Sequence, residues 1–332
     1  MARNRLVKAA FRFLILHEPR FTPASVRKIL RRALVRDFQD DGALARVAFQ
    51  CYNQKADDRA DNDAPEIIER ATALNYLSWP KKIQHLVGGR EVVDIGCGTG
   101  VHGVGYVVVG ARRYVGVDPR VELQRDRVKD LRTGAWVDFG WTANEIMQRM
   151  PRIEYCRGGV EQLPADALFD VAVMHNVTEH LPDLAGVFAS VAQHLRPSGE
   201  LVFNHHNFYA WNGHHLAPKR VSDIDLRDAE QRNYLDWGHL TYEAPPDHYF
   251  HRGLNKLRIE ELRLITQRFY DIKQWDLIPS DPEQGAGRLK APIRARHPGL
   301  SETDFTIQYV YCRAQPKAGA LSGLPQGEEV SH

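Results

Sequence analysis

The chain has 332 residues, of which 43% are hydrophobic, and a formal net charge of +2. This length suits one α/β unit with added segments, and the apolar fraction is sufficient for a sizeable core. The charge gives no general attraction to nucleic acid, no apolar run approaches the ~20 residues of a membrane span, and the four cysteines have neither metal nor redox spacing. We therefore expect a protein of the reducing cytoplasm.

Residues 1–85 are predicted to form a helical N-terminal extension. Thr22 and Pro23 make a good helix start, with a hydroxyl cap followed by proline at the first helical position. The helix that follows is amphipathic and basic, and we expect it to pack within the protein or in a homodimer, with contact to an anionic surface as the alternative. The apolar stretch at 6–16 is interrupted by basic residues and lacks a cleavage site, so it does not predict a signal peptide.

The most informative stretch is Val-Val-Asp-Ile-Gly-Cys-Gly-Thr-Gly at residues 92–100. Its apolar residues predict a buried strand that carries Asp94, and Gly96, Gly98 and Gly100 predict a tight turn after it. Such a turn lets backbone approach a ligand and leads to a helix N-terminus, where N–H groups attract electron-rich atoms. The stretch therefore predicts a nucleotide-like cofactor.

These residues alone are compatible with two cofactors. Residues 98–103 also fit the G-x-G-x-x-G pattern of dinucleotide-binding proteins. Asp118 ends the next predicted strand, close to the spacing of a carboxylate that binds ribose hydroxyls. Both NAD and S-adenosylmethionine (SAM) carry such a ribose, so an NAD-dependent oxidoreductase is an alternative here.

Strands and helices alternate after the glycine turn, which predicts a doubly wound α/β core over residues 86–315. The connection between the second and third strands is long enough for an added helix, and the tail at 316–332, rich in Gly, Pro and Ser, is expected to fray. The predicted strands lie near residues 91–95, 113–117, 153–156, 169–174, 199–205, 270–277 and 305–313.

Three segments together resemble class I SAM-dependent methyltransferases. The turn at 92–100 resembles the first motif of that family, residues 169–183 its fourth strand and following helix, and residues 195–203 the turn into its fifth strand. Their order and spacing agree with the family. The resemblance covers about residues 50–205, and it implies a mostly parallel seven-stranded sheet, SAM as cofactor and methyl transfer as the activity.

The resemblance also implies where the cofactor binds. Asp94 and the three glycines of the turn would surround the amino acid part of SAM, and Asp118 would hold its ribose. Many relatives carry an acid after the third strand that contacts the adenine, but Gly159 stands at that position here. We therefore expect the adenine to be held by backbone near Val160 or by Glu161, unless Glu161 is a solvated loop acid.

Residues 204–256, the histidine-rich segment, follow the fifth strand and so emerge at the carboxyl edge of the sheet, where ligands bind in open α/β folds. In the family an insertion at this place commonly covers the acceptor. We expect this segment to form the acceptor pocket. The acceptor-binding residues predicted from it are Asn207, Tyr209, Trp211, His214 and His215.

Histidines supply the predicted catalytic groups. His175 directly follows the fourth strand and is expected either to act as a general base or to shape the cofactor site, and His205 and His206 are the next candidates. Adjacent histidines on a strand point to opposite faces, and no H-x₃-H or H-E-x-x-H pattern is present, so no metal is predicted. Tyr52 resembles a tyrosine that lies over SAM in the family, with ordinary helix packing as the alternative.

The sequence thus predicts a SAM-dependent methyltransferase that acts on an oxygen or sulfur atom of a small molecule. A hydroxyl acceptor needs a base, whereas a thioether does not, and the family includes methylthio-hydroxybutyrate S-methyltransferases of dimethylsulfoniopropionate synthesis. A nucleic-acid methyltransferase is disfavoured by the near-neutral charge and by the lack of an Asn/Asp-Pro-Pro-Tyr motif. A non-catalytic SAM-binding protein is a further alternative.

Overall fold

The computed structural model describes residues 64–216, 218 and 220–318. The predictions for Tyr52, for the basic N-terminal helix and its homodimer, and for most of the tail lie outside these residues. The contacts between residues divide the chain into two compact units. The first contains the described residues up to Arg90, Cys97–Val115 and Val121–Tyr155, and the second contains Glu91–Gly96, Gly116–Arg120 and the described residues from Cys156 onward.

The first unit is mainly helical. Its helix α5 begins with a reciprocal cap, because the Thr142 hydroxyl accepts the Glu145 N–H and the Glu145 carboxylate accepts the Thr142 N–H. This helix confirms the added helical piece predicted before the third strand of the sheet. The helices of the unit are α1 (Pro65–Ala73), α2 (Ser78–Lys82), α3 (Gln84–Val87), α4 (His102–Val108) and α5 (Ala143–Arg149).

A small antiparallel pair, β3 (Arg127–Lys129) and β4 (Trp136–Asp138), precedes α5 and forms its own two-stranded sheet. The sequence does not predict it. Each strand has three residues, and β4 has no buried residue. Strands this short give almost no alternation to recognise.

Seven strands form the main sheet, in the order β5-β2-β1-β6-β7-β9-β8. Strand β6 is parallel to β1 and to β7, whereas β9 runs antiparallel to β7 and β8. This confirms the predicted doubly wound, mostly parallel seven-stranded sheet. The strands are β1 (Glu91–Ile95), β2 (Arg113–Val117), β5 (Ile153–Cys156), β6 (Phe169–His175), β7 (Leu195–His206), β8 (Tyr270–Pro279) and β9 (Ile307–Pro316).

All seven predicted strands are present, and two of them begin at a different residue than predicted. Strand β7 begins at Leu195 rather than near 199, because the pairing with β6 shifts register and the residues predicted as a turn remain within the strand. Strand β9 begins at Ile307 rather than at 305. Phe305 belongs instead to helix α10 (Glu302–Thr306), which is capped by the Ser301 hydroxyl.

The core of the second unit forms around β6. Four consecutive residues of this strand, Val171 to Met174, have 0% exposure, as expected for a strand covered on both faces. On one face, helix α6 (Leu184–Gln193) packs Phe188 against Phe203 and Tyr270 with ring centroids 5.6 and 5.7 Å apart. The Tyr270 hydroxyl donates to the Phe188 carbonyl at 2.8 Å, so this large buried side chain also satisfies its polar atom.

The histidine-rich segment has little regular structure. It consists of short 3₁₀ turns and helix α7 (Tyr249–Arg252), and it is followed by α8 (Ile259–Phe269) and α9 (Ala291–Arg296). Its fold depends on buried aromatic side chains, among which Trp237 is 1% exposed and donates its indole N–H to the Tyr209 carbonyl at 3.0 Å. Aromatic packing therefore takes the place of helix and strand hydrogen bonding in this segment.

Candidate active site at the carboxyl ends of β1, β2, β6 and β7

The glycine turn after β1 has two glycines with different constraints. Gly96 has a φ of +78°, and an added Cβ would overlap the side chain of Val177. Gly98 has a φ of +60°, but an added Cβ there would meet no atom of a described residue within 4 Å. Protein packing therefore requires the first glycine, whereas no described side chain or backbone atom excludes a Cβ at the second.

Two acids lie at the ends of the first two strands of the sheet. Asp94 is the fourth residue of β1 and is 4% exposed. Asp118 directly follows β2 and is half-buried, and its Oδ1 accepts the backbone N–H of Arg120 at 2.7 Å. This hydrogen bond orients the Asp118 carboxylate at the strand end.

The segment after β5 brings a carboxylate close to Gly159. Val160 begins a 3₁₀ turn and is buried, whereas Glu161 is exposed. The Glu161 carboxylate lies against Gly159, so that an added Cβ on Gly159 would overlap both of its oxygens. A carboxylate is thus present beside position 159, although it comes from two residues further along the chain.

His175 is the last residue of β6 and is half-buried. It lies opposite Asn204 in the pairing of β6 with β7. The next residue, Asn176, has a φ of +53°, and its side-chain oxygen accepts the amide N–H of Asn204 at 2.6 Å. This strained turn, supported by the hydrogen bond between the two asparagines, holds His175 at the carboxyl end of its strand.

Sequence reasoning missed Glu179, which lies in the 3₁₀ turn after β6 and is only 2% exposed. Burial raises the pKa of this carboxyl to about 8, although backbone N–H groups of Glu179 itself and of His206 donate to it. Its Oε1 is buried and has no hydrogen-bond partner among the described residues. A buried acid of this kind marks a candidate functional site, but no local sequence pattern signals its burial.

The structure encloses His205, one of the predicted catalytic residues, in the core. It is 1% exposed, and its Nδ1 lies 2.9 Å from the Thr178 hydroxyl and 3.9 Å from a Glu179 oxygen. Burial lowers the pKa of His205 to about 3, with smaller contributions from neighbouring histidines. Its imidazole is therefore neutral at physiological pH.

His206 and His215, from separate parts of the chain, are brought together. Their rings stack with centroids 4.2 Å apart, and the Nε2 of His206 lies 3.1 Å from the side-chain oxygen of Asn212. His215 has a φ of +61°, which is uncommon for a residue other than glycine. His180 lies edge-on to His215 at 5.1 Å and within 2.6 Å of the Gly253 carbonyl.

Three of the predicted acceptor-binding residues make contacts that hold the segment together. Asn207 has 0% exposure, and its amide donates to two backbone carbonyls at 2.7 Å. Trp211 belongs to a buried cluster with Trp237 and Phe305. His214 stacks on Tyr234 with centroids 4.4 Å apart. These contacts give each of the three side chains a packing or hydrogen-bonding role in the fold.

A cavity of about 440 Å³ lies in the second unit and is lined mainly by this segment. Its volume is typical of a small-molecule site. Tyr209 lines it and donates its hydroxyl to the Lys256 carbonyl at 2.9 Å, and the Lys256 ammonium lies 5.3 Å from the centre of the Phe208 ring. The aromatic and basic lining consists of Phe208, Tyr209, His239, Tyr242, Phe250, His251, Lys256 and His297.

His239 lines the cavity, and one of its ring nitrogens has no hydrogen-bond partner among the described residues. Its Nε2 lies 3.0 Å from the Phe208 carbonyl. Because a carbonyl only accepts, Nε2 carries the proton and Nδ1 holds the lone pair. Nδ1 is buried and has no partner among the described residues. A ligand with an O–H or N–H group would satisfy it.

We expect His239 to make the protein sensitive to acid. Burial lowers the pKa of His239 to about 4, whereas an unfolded histidine titrates near ~6.5. Its contribution is therefore fully present above about pH 6.5 and is lost as the pH falls toward 4, by up to roughly 1.4 kcal/mol per pH unit. Urea unfolding of His239→Gln between pH 7 and pH 5 should show a smaller loss of stability than the parent, and equal losses would contradict the assignment.

Across residues 64–216, 218 and 220–318, no helix combines the length and the apolar character needed to cross a membrane.

A family model described as a methyltransferase domain matches residues 59–269, more than half of the chain. A ubiquinone biosynthesis O-methyltransferase of Pasteurella multocida is 29% identical over 179 residues, which cover 50% of this chain and 71% of the relative. A tRNA U34 carboxymethyltransferase of Klebsiella pneumoniae is 29% identical over 126 residues, 37% of this chain and 34% of the relative. The second match therefore spans only about a third of that relative.

The similarity to solved structures is weaker than the match to the family model. The N-methyltransferase NodS of Bradyrhizobium japonicum, in complex with S-adenosyl-L-homocysteine, is 16% identical, with 77% of this chain and 90% of that chain covered and a TM-score of 0.36. The family assignment consequently comes from the domain match over residues 59–269.

Proposed function

Because this chain belongs to the family of SAM-dependent methyltransferases, we propose that it methylates an oxygen atom of a small aromatic molecule that carries an anionic group. The observation that carries this proposal is the cavity of about 440 Å³ in the second unit, with its aromatic walls, Lys256 and the Nδ1 atom of His239. Methyl transfer from SAM follows from the family, whereas the acceptor and the acceptor atom are our proposal.

The residues of the glycine turn and the strand ends fit SAM. Gly96, Gly98 and Gly100 all have positive φ, the backbone conformation of a tight turn that lets a ligand approach the main chain. We propose that Asp94, Gly96, Gly98 and Gly100 bind the amino acid part of SAM, since a carboxylate suits its ammonium group. SAM supplies a methyl group on a positively charged sulfur atom.

The ribose and adenine are assigned to the next two strand ends. Asp118, oriented by the Arg120 N–H, would accept from the ribose hydroxyls. Glu161, whose carboxylate lies beside Gly159, would accept from the adenine amino group, with Val160 packed below it. Glu161 would therefore replace the acid that many relatives carry at the position of Gly159.

The lining of the cavity defines the chemical class of the acceptor. Its aromatic side chains suit a flat aromatic ring. The Lys256 ammonium would pair with a carboxylate or another anionic group, and the lone pair of His239 Nδ1 would accept from a hydroxyl other than the one that is methylated. A hydroxylated aromatic acid satisfies all three features.

A hydroxyl acceptor must lose a proton as the methyl group is transferred. We propose that His175, at the carboxyl end of β6, accepts this proton, because the structure holds it at the strand end and does not enclose it as it does His205. The remaining task of the protein is positioning, since displacement requires the nucleophile to lie in line with the methyl group at roughly 3–3.5 Å.

An oxygen atom is favoured over a sulfur atom as the methyl acceptor, and a small molecule is favoured over nucleic acid as the substrate. The Pasteurella relative, matched over 71% of its length, is an O-methyltransferase, and neither relative reported above is a thioether methyltransferase. The Klebsiella relative modifies tRNA by its name, but only about a third of it is matched. The chain has a net charge of only +2, which gives little general attraction to nucleic acid.

An acceptor screen by mass spectrometry tests the proposal, with hydroxylated aromatic acids, neutral phenols, thioethers and tRNA as substrates. We expect methylated product from the aromatic acids. In Lys256→Met the KM for such an acid should rise by roughly tenfold or more, because one ion pair is lost, while SAM affinity stays unchanged. Lys273→Met, at an exposed position on β8 outside the cavity, is the matched control. Turnover of thioethers or tRNA alone would refute the proposal.

A further inference from the structure

One carboxylate and two imidazoles converge in the second unit, outside the set assigned to SAM. Glu179, His206 and His215 each offer one ligand atom, and these three atoms lie within 4.8 Å of one another. They come from the turn after β6, the end of β7 and the segment beyond it. This separation explains why the spacing of histidines along the sequence predicts no metal.

The side chain of Glu179 is a buried carboxyl group with one oxygen that no described residue satisfies. The carboxyl group is 2% exposed, and its Oε1 has no hydrogen-bond partner among the described residues. His180 Nε2 lies 4.0 Å from Oε1, beyond hydrogen-bond distance. A buried carboxylate is stable when it is paired with a cation or coordinates a metal.

The surroundings of His206 orient it as a ligand. Asn212 Oδ1 lies 3.1 Å from Nε2 and, as an amide oxygen, accepts the proton on that nitrogen. The lone pair of the imidazole is then on Nδ1. Metal-binding histidines commonly donate their other ring N–H to an oxygen in this manner.

His215 lies beside His206 and has an unfavourable backbone conformation. Its φ of +61° lies in the left-handed region, and its ring stacks on His206 with centroids 4.2 Å apart. Strained residues of this kind persist where the surrounding structure holds them, and they are concentrated at functional sites. A packing role alone does not require a histidine in this conformation next to a buried carboxylate.

We propose that Glu179, His206 and His215 bind one divalent first-row transition-metal ion. Two imidazoles and one carboxylate form the 2-His-1-carboxylate set, which suits Fe²⁺, Co²⁺ or Zn²⁺ and leaves coordination positions open. Mg²⁺ and Ca²⁺ prefer oxygen ligands, and this set contains only one oxygen-bearing residue. The site lies at the carboxyl ends of β6 and β7, so an acceptor oxygen could occupy an open position, a role that rests on the function proposed above.

The proposal is tested by metal binding rather than by activity. The full-length protein is stripped with a chelator, reloaded with Co²⁺, and analysed by mass spectrometry for metal content and by visible absorption for d–d bands. We expect one equivalent of Co²⁺ per chain, displaced by Zn²⁺. Glu179→Gln and His215→Gln should each weaken Co²⁺ binding by about tenfold or more.

His85→Gln is the matched control, because it makes the same substitution at an exposed histidine outside both the cluster and the cavity. It should bind Co²⁺ as the parent does, and thermal unfolding should show that all variants are folded. Failure of the folded parent to bind Co²⁺ or Zn²⁺, or full binding by Glu179→Gln and His215→Gln, would overturn the site. Methyl transfer is measured separately, so activity without metal binding would overturn the metal site and leave the proposed function standing.

Discussion

Gly98→Ala should weaken SAM binding by roughly 10- to 100-fold, about 1.4–2.8 kcal/mol, while the protein remains folded. An added Cβ at this position meets no atom of a described residue within 4 Å, so the methyl group enters the space that we assign to the cofactor. Isothermal titration with SAM measures the loss. Thermal unfolding without SAM should show only a modest destabilisation, since the left-handed backbone costs roughly 1–2 kcal/mol for alanine.

Gly89→Ala separates the loss of cofactor space from backbone strain. Gly89 has a φ of +75°, close to the +60° of Gly98, and an added Cβ there also meets no atom of a described residue within 4 Å. It lies before β1 and outside the glycine turn. Both variants should therefore lose similar stability, but only Gly98→Ala should lose SAM affinity. Equal SAM affinities would remove the assignment of the turn to the cofactor.

The sequence predicts the sheet well because its strands carry local signals. The apolar run of β6, fully buried from Val171 to Met174, and the glycine turn after β1 are both visible in a window of ten residues. The errors occur where long-range contacts decide the local structure. The start of β7 depends on a register shift against β6, and the start of β9 depends on the capped helix α10 that precedes it.

The site is less predictable, since its side chains come from distant segments. His206 and His215 are visible as histidines, but their stacking depends on the left-handed backbone of His215. The burial of Glu179 depends on contacts with Thr178 and with β7, which no spacing rule contains. Conversely, Asn207 is a conspicuous polar residue in the sequence, yet its amide serves two backbone carbonyls inside the fold.

Replacing His175 with Asn should lower kcat by roughly 10²- to 10⁴-fold, the usual contribution of a general base, while the affinity for SAM changes little. Asparagine retains a hydrogen-bonding side chain at the end of β6 but cannot accept a proton. Single-turnover rates with the acceptor identified in the screen give the loss in the chemical step. The acidic limb of the kcat–pH profile should disappear in the variant, a change that a purely structural role would not produce.

The same variant decides between the two acceptor atoms. A phenolic hydroxyl loses its proton during transfer, whereas a thioether has no proton to lose and becomes a sulfonium. If His175→Asn retained the parent kcat and pH profile while SAM binding was intact, the base would be unnecessary and a sulfur acceptor would replace oxygen in the proposal. Loss of SAM affinity with an unchanged single-turnover rate at saturating SAM would instead make His175 a residue that positions the cofactor. A lower rate at saturating SAM, with an unchanged Kd for SAM, is the outcome that assigns proton transfer to His175.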